Sequence, residues 1–355
     1  MPLPTIMPPS VLTLVIFGIA LAFVFDFMNG VNDAANSIAT VVATRVLKPL
    51  WAVGWAAFFN FMAVFLLDVK VAGTIGKGVV NAEGITELVV LAALFGAIVW
   101  TTVCTRLGLP ISVSHALVGG LLGAGLAYAG MGVVMWTKIW MIAAFMVISP
   151  IVGIFLGSFI TWLVTWLTYR FDRRRVSAWF RRLQLVSAAL FSLGHGTGDA
   201  QKTMGIVAVL LVTAGMGANP QGNWFLRSSF DSTGFVPNWV VFAAHAAIAL
   251  GTLIGGWRVI KTMGVRLTKL RPMDGFSAET AAATSILGTA ALGIPVSTTH
   301  TIAGGIIGVG AVKRFTAVRW GVLTRIVWAW VFTLPASAGV AALIYLLLRL
   351  FIPRG

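Results

Sequence analysis

Charged residues are scarce in this chain: they make up 10% of its 355 residues, whereas soluble globular domains carry about 25%. So few charges cannot cover the surface of a water-soluble globule. The apolar fraction of 59% excludes a disordered chain, which could not leave that much apolar surface solvated. The single cysteine, Cys104, excludes intrachain disulfides and metal sites built from several thiolates. The composition therefore predicts a polytopic membrane protein.

Acidic residues are the scarcer charge class, with 10 Asp and Glu against 25 Lys and Arg and a net charge of +15. On a soluble chain this excess would suggest a nucleic-acid partner. In a membrane protein it follows from the positive-inside rule, so we predict a lipid bilayer and no nucleic acid. Residues 1–10 contain no Lys or Arg. Because the basic region of a signal peptide is lacking, the first span is expected to be retained.

Hydropathy predicts an all-α protein built from ten apolar stretches, several of which reach the roughly 20 residues that cross a bilayer as helix. The stretches are 11–44, 50–69, 87–105, 110–129, 139–169, 186–215, 239–256, 277–292, 296–312 and 320–348. Three of them, 11–44, 139–169 and 320–348, are too long for one upright span. The last two contain Pro150 and Pro335.

An internal repeat organises the chain. Residues 107–125, LGLPISVSHALVGGLLGAG, match residues 292–310, LGIPVSTTHTIAGGIIGVG. A weaker pair is NGVNDAANS at 29–37 and HGTGDAQKT at 195–203, for which chance recurrence of small polar residues is the alternative. Repeats of this kind decide the architecture. We predict a first transmembrane repeat over 11–169, a basic cytoplasmic linker over 170–185 and a second repeat over 186–348.

The charge distribution orients the two halves. The linker begins RFDRRRVSAWFRR, with six Arg and one Asp, which places it in the cytoplasm. Five crossings in the first half make the second half inverted, so we predict ten crossings, about twelve helical segments and both termini outside. Inverted repeats with broken helices build many secondary transporters. If Pro150 and Pro335 split their helices, the count becomes even and the inversion is lost.

Acidic residues inside apolar stretches are costly and mark function by default. Asp33 and Asp199 lie at equivalent places in the two repeats, each in a run so rich in Gly and polar residues that we predict a break in the helix. A break would free backbone groups for an ion, and Asn36 would share a helix face with Asp33. The alternative is a polar clamp between helices. Asp26 is a third such residue, without an assigned role.

The motifs PISVSH at 110–115 and PVSTTH at 295–300 each begin a Gly-rich apolar helix. Pro favours the first helical turn and Ser or Thr its cap, so free N–H groups and hydroxyls would form an anion cradle. The cradle residues are Ser112, Ser114, Ser297, Thr298 and Thr299. Ordinary capping at a membrane surface is the alternative. We interpret His115 and His300 as structural hydrogen-bonding residues, with titration near neutral pH as the alternative.

Cations are rare within the spans, where only Lys202 and Arg325 lie. The charge of a buried oxyanion would have to be offset by helix ends, hydroxyls and cations bound with it at Asp33 and Asp199. This reasoning predicts cation-coupled anion transport. Lys202 follows Asp199 by three residues and is expected to pair with it or to serve as the fixed positive charge.

These two pairs of motifs resemble the inorganic phosphate transporter (PiT) family, in particular its bacterial low-affinity branch. The resemblance implies phosphate import across the cytoplasmic (inner) membrane, with the signature residues around phosphate and the coupling ions. It assigns phosphate to Ser112, Ser114, Ser297, Thr298 and Thr299, and coupling to Asp33, Asn36, Asp199 and Glu279. Asn32, Asn60, Lys202, His115 and His300 are further candidates.

The chain departs from the family pattern at three positions. Asn60 aligns with a functional Glu of eukaryotic members, whereas its counterpart in the second half is kept as Glu279. Lys202 stands where sodium-coupled members often have Asn. An amide at Asn60 and an ammonium at Lys202 make these two positions less suited to binding a sodium ion. Proton coupling is therefore favoured, and sodium coupling is the alternative. Gly198 replaces the usual Asn of the branch. Some bacterial members take up a neutral metal–phosphate complex, which stays open here.

The sequence therefore predicts a proton-coupled phosphate symporter without a cofactor or a bound metal. A sulfate or divalent-metal carrier on the same scaffold is one rival, and homo-oligomerisation is left open. An intramembrane hydrolase is the other rival. Adjacent residues such as Ser114 and His115 are poorly placed to act as nucleophile and base, and a G-x-S-x-G elbow is missing. No G-x-x-x-x-G-K-[ST] loop is present for ATP, so we predict that the protein is not an enzyme.

Overall fold

The computed structural model describes residues 9–65, 80, 85–213, 236–291 and 296–352. This part of the chain forms eleven α-helices and no β-strand. The helices are α1 Pro9–Ala43, α2 Pro49–Met62, α3 Glu87–Leu107, α4 Val113–Ala129, α5 Trp136–Thr168, α6 Arg173–Thr213, α7 Asn238–Ile254, α8 Trp257–Lys261, α9 Pro272–Ala291, α10 Thr298–Lys313 and α11 Trp320–Phe351. Each of the ten predicted apolar stretches overlaps one of them, while residues 66–69, 214, 215 and 292 of the predicted stretches lie outside the described residues. The extra helix is α8, which continues into a π-helical turn at Thr262–Arg266.

Several of these helices are long and apolar enough to cross a membrane. By length and composition α1, α3, α5 and α11 qualify alone, and α7 qualifies together with the α8 segment if the pair, bent by 62°, is one span. Helices α5 and α11 also expose large apolar side chains along their length, among them Trp140, Phe155, Trp162, Trp328 and Phe332. Exposed apolar surface of this extent suits a lipid environment. The architecture is that of an all-α, multi-pass membrane protein.

The predicted helix breaks at the two signature runs are wrong. Helix α1 continues through residues 29–37, and α6 continues through residues 195–203. The glycines in these runs permit close helix packing: a Cβ on Gly30 would lie 2.2 Å from the carbonyl oxygen of Ile248, and one on Gly196 would lie 2.5 Å from that of Asn60. Small residues let membrane helices approach in this way, so Gly here brings α1 against α7 and α6 against α2.

Short helices begin instead at the PISVSH and PVSTTH motifs. Helix α3 ends at Gly108, whose φ of +72° lies in the left-handed region that favours glycine. Helix α4 then begins after Ser112 and has 17 residues, and α10 begins after Ser297 and has 16. Both are shorter than the roughly 20 residues of a full span. Pro295 of the second motif lies outside the described residues.

Helices α5 and α11 are each continuous through their proline, Pro150 and Pro335. Each packs against a short helix of the other half, α5 against α10 and α11 against α4. Glycine permits these contacts: a Cβ on Gly304 would lie 2.3 Å from the carbonyl oxygen of Pro150, and one on Gly123 would lie 2.0 Å from that of Ala338. The two halves of the sequence are therefore interleaved in space.

Helix α6 has 41 residues and begins at Arg173, inside the predicted linker. At 1.5 Å per residue it is about 60 Å long, twice the thickness of a hydrocarbon core. Its first part carries Arg173, Arg174, Arg175, Arg181 and Arg182. The basic segment therefore extends beyond any hydrocarbon layer, while the rest of the helix lies within the bundle.

A polar belt separates two apolar cores along α1 and α6. On α1, Leu21 to Phe25 belong to one core and Ala35 to Val41 to the other. On α6, Ala200 to Leu211 belong to the first core and Ala188 with Phe191 to the second. The two helices therefore pack antiparallel, and the signature residues lie between the cores, where polar side chains must find partners within the protein.

Candidate functional site

One face of α1 carries a row of buried polar side chains. Asp26, Asn29, Asp33, Asn36 and Thr40 follow one another at intervals of three or four residues, so they lie on one side of the helix. Each is 2% exposed or less. A row of this length inside an apolar bundle is stabilised only by polar groups on neighbouring helices. Helices α6, α9 and α10 supply several of them.

Asp33 lies at the centre of this row and faces two other helices. Its Oδ1 is 3.2 Å from the hydroxyl of Thr299 on α10, and its Oδ2 is 3.5 Å from Nε2 of His195 on α6. One turn further along α1, the amide of Asn36 donates to the same Thr299 hydroxyl at 2.9 Å. Thr299 therefore joins the first signature run to the PVSTTH motif, as a shared site requires.

The two motif segments meet in space. The Thr299 hydroxyl lies 3.1 Å from the carbonyl oxygen of Ile111, just before α4. The rings of His115 and His300 pack with centroids 5.1 Å apart. Each motif caps its own helix, because the backbone N–H of each His donates to the Ser three residues earlier, at 3.4 Å and 3.3 Å. The starts of α4 and α10, with their free N–H groups, therefore lie side by side.

Asp199 is the counterpart of Asp33 on α6. Its Oδ1 lies 2.5 Å from the ammonium of Lys202, and its Oδ2 accepts from the amide of Asn29 at 3.2 Å. The same ammonium donates to the hydroxyl of Ser114 at the start of α4. Lys202 therefore pairs with Asp199, the first of the two roles expected for it, and also connects this carboxylate to the PISVSH motif.

His195 lies between the two carboxylates, and sequence reasoning did not single it out. Its Nε2 is 3.5 Å from Oδ2 of Asp33 and 3.4 Å from Oδ2 of Asp199, and its Nδ1 is 3.3 Å from Oδ1 of Asn60. The imidazole is fully buried. Its place one turn before Asp199 in HGTGDAQKT was the available signal, since residues four apart share a helix face. This contact also brings Asn60 of α2 to the edge of the site.

Two other candidates lie apart from the helix starts. Asn32 donates to the hydroxyl of Thr105 on α3 at 2.8 Å. Glu279 on α9 accepts hydrogen bonds from Thr40 at 2.5 Å, Gln184 at 3.0 Å and Ser187 at 2.5 Å. Thr40 is the last member of the polar row on α1. Glu279 is therefore connected to the site along α1, through Thr40 two turns from Asp33, and along α6, through Ser187 two turns before His195.

The site combines groups for an anion with groups for a cation. The helix starts of α4 and α10 offer N–H groups and hydroxyls, to which Lys202 adds a positive charge. Asp33, His195 and Asp199 offer three buried ligand atoms within 4.8 Å of one another. The two sets share contacts through Thr299 and the Lys202–Asp199 pair. Simultaneous binding of an anion and a cation is the chemistry that this arrangement permits.

Sequence comparison connects this site to known proteins. Residues 29–341 match the phosphate transporter family. The chain is 52% identical over 327 residues to a "Probable low-affinity inorganic phosphate transporter" of Rhizobium meliloti (strain 1021), covering 92% of this chain and 94% of the relative. It is 39% identical over 342 residues to a protein of the same name from Bacillus subtilis (strain 168), covering 96% and 98%.

A solved structure titled "The sodium-dependent phosphate transporter" has the same fold. It superposes with a TM-score of 0.84 at 26% identity and covers 96% of this chain and 100% of that chain. The family match spans both signature runs and both helix-start motifs. Relatives and fold alike are those of a transporter and not of an enzyme, and the chain belongs to the phosphate transporter family.

Proposed function

We propose that the protein is a secondary active symporter that imports inorganic phosphate across the cytoplasmic membrane with protons as coupling ions. The family membership and the names of the relatives support the substrate. The observation that carries the proposal is the convergence of two buried helix starts on two buried carboxylates, through Thr299 to Asp33 and through Lys202 to Asp199. A binding site for an anion and its balancing cation requires this juxtaposition.

Phosphate is proposed to lie between the starts of α4 and α10. Helix N-termini favour anions because their N–H groups are free and the helix dipole is positive there. The residues assigned to phosphate are Ser112, Ser114, Ser297, Thr298 and Thr299. Lys202 is the fixed cation in contact with this group, through Ser114. One ammonium is too little for a multivalent anion, so further cations are required.

The coupling cations are proposed to act at Asp33 and Asp199, with Asn36 and Glu279 in support. Protons are favoured because the ammonium of Lys202 already covers one oxygen of Asp199, and Asn60 supplies an amide at the position aligned with a carboxylate of eukaryotic members. Sodium is the second candidate, and the likeness to a structure titled as sodium-dependent favours it. No cofactor is part of this scheme.

The transport cycle is proposed to use two inverted repeats, 11–169 and 186–348, which rock around the site. The scheme has ten crossings, the linker 170–185 in the cytoplasm and both termini outside. The continuity of α5 and α11 through their prolines supports an odd number of crossings in each half. The meeting of the two short helices supports a site between the repeats.

Phosphate uptake into proteoliposomes tests this function. Wild type is expected to accumulate labelled phosphate when a pH gradient is imposed without sodium, and Asp33→Asn and Asp199→Asn are expected to lose uptake. Asp172→Asn is the matched control, because Asp172 is exposed at the start of α6 and its hydrogen bonds within the described part of the chain come from local backbone N–H groups. Wild-type rates in both signature variants would contradict the site. A strict sodium requirement would contradict proton coupling, and competition by sulfate alone would contradict the substrate.

A further inference from the structure

Asp26 begins the row of buried polar side chains on α1, two turns before Asp33. It is fully buried, and neither of its carboxylate oxygens has a hydrogen-bond partner in the described part of the chain. It is not one of the three ligand groups that converge around His195. Ala22 and Phe25, which precede it on α1, belong to an apolar core. Because an ionised carboxylate without partners is costly in such surroundings, the neutral acid is favoured.

Two oxygen atoms beside Asp26 also lack a hydrogen-bond partner. The amide of Asn29, one turn further along α1, and the hydroxyl of Thr203 on α6 both face its carboxyl group. Oδ1 of Asn29 and Oγ1 of Thr203 are buried and unpartnered in this part of the structure as described. A protonated carboxyl group has one O–H to donate, whereas an ionised one can only accept. Protonated Asp26 is therefore able to satisfy an oxygen that ionised Asp26 would leave without a donor.

The charged groups that face Asp26 belong to α6. They are the carboxylate of Asp199 and the ammonium of Lys202, which pair with each other. Helices α3 and α7 also pack against α1. On α7 the titratable residue is His245, whose Nδ1 contacts its own helix. On α3 the titratable residues lie towards the two ends of the helix and are Glu87, Cys104 and Arg106. Asp199 is therefore the group with which Asp26 can exchange a proton.

Asn29 connects the two carboxyl groups. Its amide nitrogen donates to Oδ2 of Asp199 at 3.2 Å, and the same side chain faces Asp26. A rotation of this side chain is enough to move the donor from one carboxylate to the other. Because a hydrogen bond from a neutral donor favours the ionised form of a carboxyl group, Asn29 can stabilise whichever of the two has lost its proton.

A proton on Asp199 would change the charge beside the helix starts. Lys202 holds Oδ1 of Asp199 and donates to the hydroxyl of Ser114, so the carboxylate balances its ammonium. A proton on Oδ2 neutralises the carboxylate and leaves the ammonium as net positive charge at the start of α4. Bound phosphate, an anion, therefore favours a proton on Asp199 over a proton on Asp26.

We propose that Asp26 is a proton-binding residue of the transport cycle that releases its proton to Asp199 when phosphate binds, with Asn29 as the positioning residue. The O–H bond of Asp26 breaks, and an O–H bond to Oδ2 of Asp199 forms. The amide of Asn29 turns to the carboxylate left on Asp26, to which the hydroxyl of Thr203 also donates. Relays of this kind are a known use of acidic residues inside membranes.

The inference rests on the proposed function for phosphate and for the direction of transport. In the proposed topology α1 begins outside, so Asp26 lies on the outer side of Asp33 and takes up its next proton from there. The proton bound to Asp26 itself stands on the burial of its carboxyl group and on the unpartnered oxygens around it.

Infrared difference spectroscopy on the full-length protein in detergent tests the proton directly. Without phosphate at neutral pH, wild type is expected to show the C=O stretch of a protonated carboxyl group, which Asp26→Asn removes. Inorganic phosphate is expected to replace this band by a second one, which Asp199→Asn removes. In Asn29→Leu the first band should persist but no longer respond to phosphate. Asp172→Asn is the control and should change neither band, because Asp172 is exposed.

Proteoliposomes test the role of this proton in transport. Asp26→Asn is expected to retain exchange of labelled phosphate at equal pH, which needs no net proton transfer. Accumulation driven by a pH gradient is expected to fall about 100-fold, within the usual effect of removing a positioned proton-transfer group. Asp26→Glu keeps the carboxyl group and should retain both activities.

Three results would overturn the proposal. They are the absence of an Asp26-dependent band in folded wild type at neutral pH, a band that phosphate leaves unchanged, and full pH-driven accumulation by Asp26→Asn. Loss of exchange in both Asp26 variants would also contradict it, because Asp26 would then be needed for phosphate binding. Wild type that neither exchanges nor accumulates phosphate rejects the proposed transport, and the infrared band of Asp26 then decides the proton site alone.

Discussion

Lys202 and Asp199 form a buried ion pair one turn apart on α6, with Nζ and Oδ1 2.5 Å apart. The pair holds the ammonium against Ser114 at the start of α4. One of the two signature carboxylates is thereby neutralised by the protein itself, while Asp33 has no fixed cation among its described contacts. The two equivalent aspartates are therefore electrostatically different, and replacing Lys202 removes a direct ion pair from Asp199 but none from Asp33.

Removal of the ammonium is expected to impair stability and phosphate binding together. Lys202→Gln leaves the Asp199 carboxylate buried without its partner, which costs about 3–5 kcal/mol of unfolding free energy. Loss of a charge-assisted hydrogen bond near phosphate, worth about 1.5–3 kcal/mol, would raise the KM for uptake roughly 10- to 100-fold. Unfolding in detergent and uptake kinetics measure the two effects. Adding Asp199→Asn should recover stability but not uptake, and a normal KM in the single variant would exclude Lys202 from the site.

Substitution of Lys202 also tests which cation is coupled to phosphate uptake. Lys202→Asn introduces the residue that sodium-coupled members of the family often carry here and uncovers an oxygen of Asp199. We expect uptake by this variant to become responsive to a sodium gradient, because a small cation can occupy the space of the ammonium beside the carboxylate. Initial rates with and without sodium at constant pH provide the measurement. If Lys202→Asn remains indifferent to sodium while still transporting, the ammonium is not what excludes sodium.

We expect the hydroxyl group of Thr299 to contribute more to stability and uptake than the volume of its side chain does. It contacts Asn36, Asp33 and the carbonyl oxygen of Ile111, so Thr299→Val leaves buried polar groups unsatisfied at a cost of about 1–3 kcal/mol. We expect lower stability and a strongly reduced uptake rate, with Thr299→Ser close to wild type. Thr289→Val is the control, because the Thr289 hydroxyl donates to Ser285 and Ile286 of its own helix, α9, and to no other helix among the described residues. Equal effects of the two valine substitutions would argue against a special role of Thr299.

Local features of this protein were predictable from sequence, and contacts between distant segments were not. Hydropathy located all ten apolar helices because crossing or lining a membrane demands continuous apolar surface. The caps at Ser112 and Ser297 followed from short-range preferences at helix starts. The continuity of α1 through NGVNDAANS was missed because its polar side chains are satisfied by Asp199, Thr105 and Thr299 on other helices. The partners lie 73 to 263 residues away.

His195 likewise could not be recognised as a site residue from the sequence, because its contacts involve distant segments. Its position four residues before Asp199 was visible in the sequence, but its importance comes from Asp33 on α1 and Asn60 on α2. Only the antiparallel packing of α1 and α6 brings these groups together. Glu279 illustrates the opposite case, because family resemblance grouped it with the coupling residues although its contacts are with Thr40, Gln184 and Ser187.

Glu279 is expected to influence turnover more than phosphate binding. Three donors hold its carboxylate, and none of them belongs to the helix starts of α4 or α10. Glu279→Gln places an amide donor among these groups, so we expect the maximal uptake rate to fall about tenfold, roughly the loss of one hydrogen bond, while the KM for phosphate stays within about twofold. Uptake kinetics in proteoliposomes provide the measurement, with Glu279→Asp as the conservative control. A large rise in KM would place Glu279 at the phosphate site.

Glycine substitutions on α6 test the helix packing that positions the site. A Cβ on Gly196 would lie 2.5 Å from the carbonyl oxygen of Asn60, whereas a Cβ on Gly198 meets nothing within 4 Å. We expect Gly196→Ala to lower the unfolding free energy by about 1–3 kcal/mol, the usual cost of overpacking. Gly198→Ala is the matched control and should gain up to about 1 kcal/mol, because Ala is the better helix former.

Gly196→Ala should also change the site. To make room for the new Cβ, α2 must move away from α6, and this movement separates Asn60 from His195. Reduced uptake in Gly196→Ala with normal uptake in Gly198→Ala is therefore expected, measured in proteoliposomes at equal protein content. The backbone oxygen of Asn60 cannot retreat without moving α2, since Asn60 also binds Thr252 on α7. Equal stability of the two alanine variants would mean that α2 and α6 do not pack as closely as the structure has them. The contact that orients His195 would then have to be reassigned.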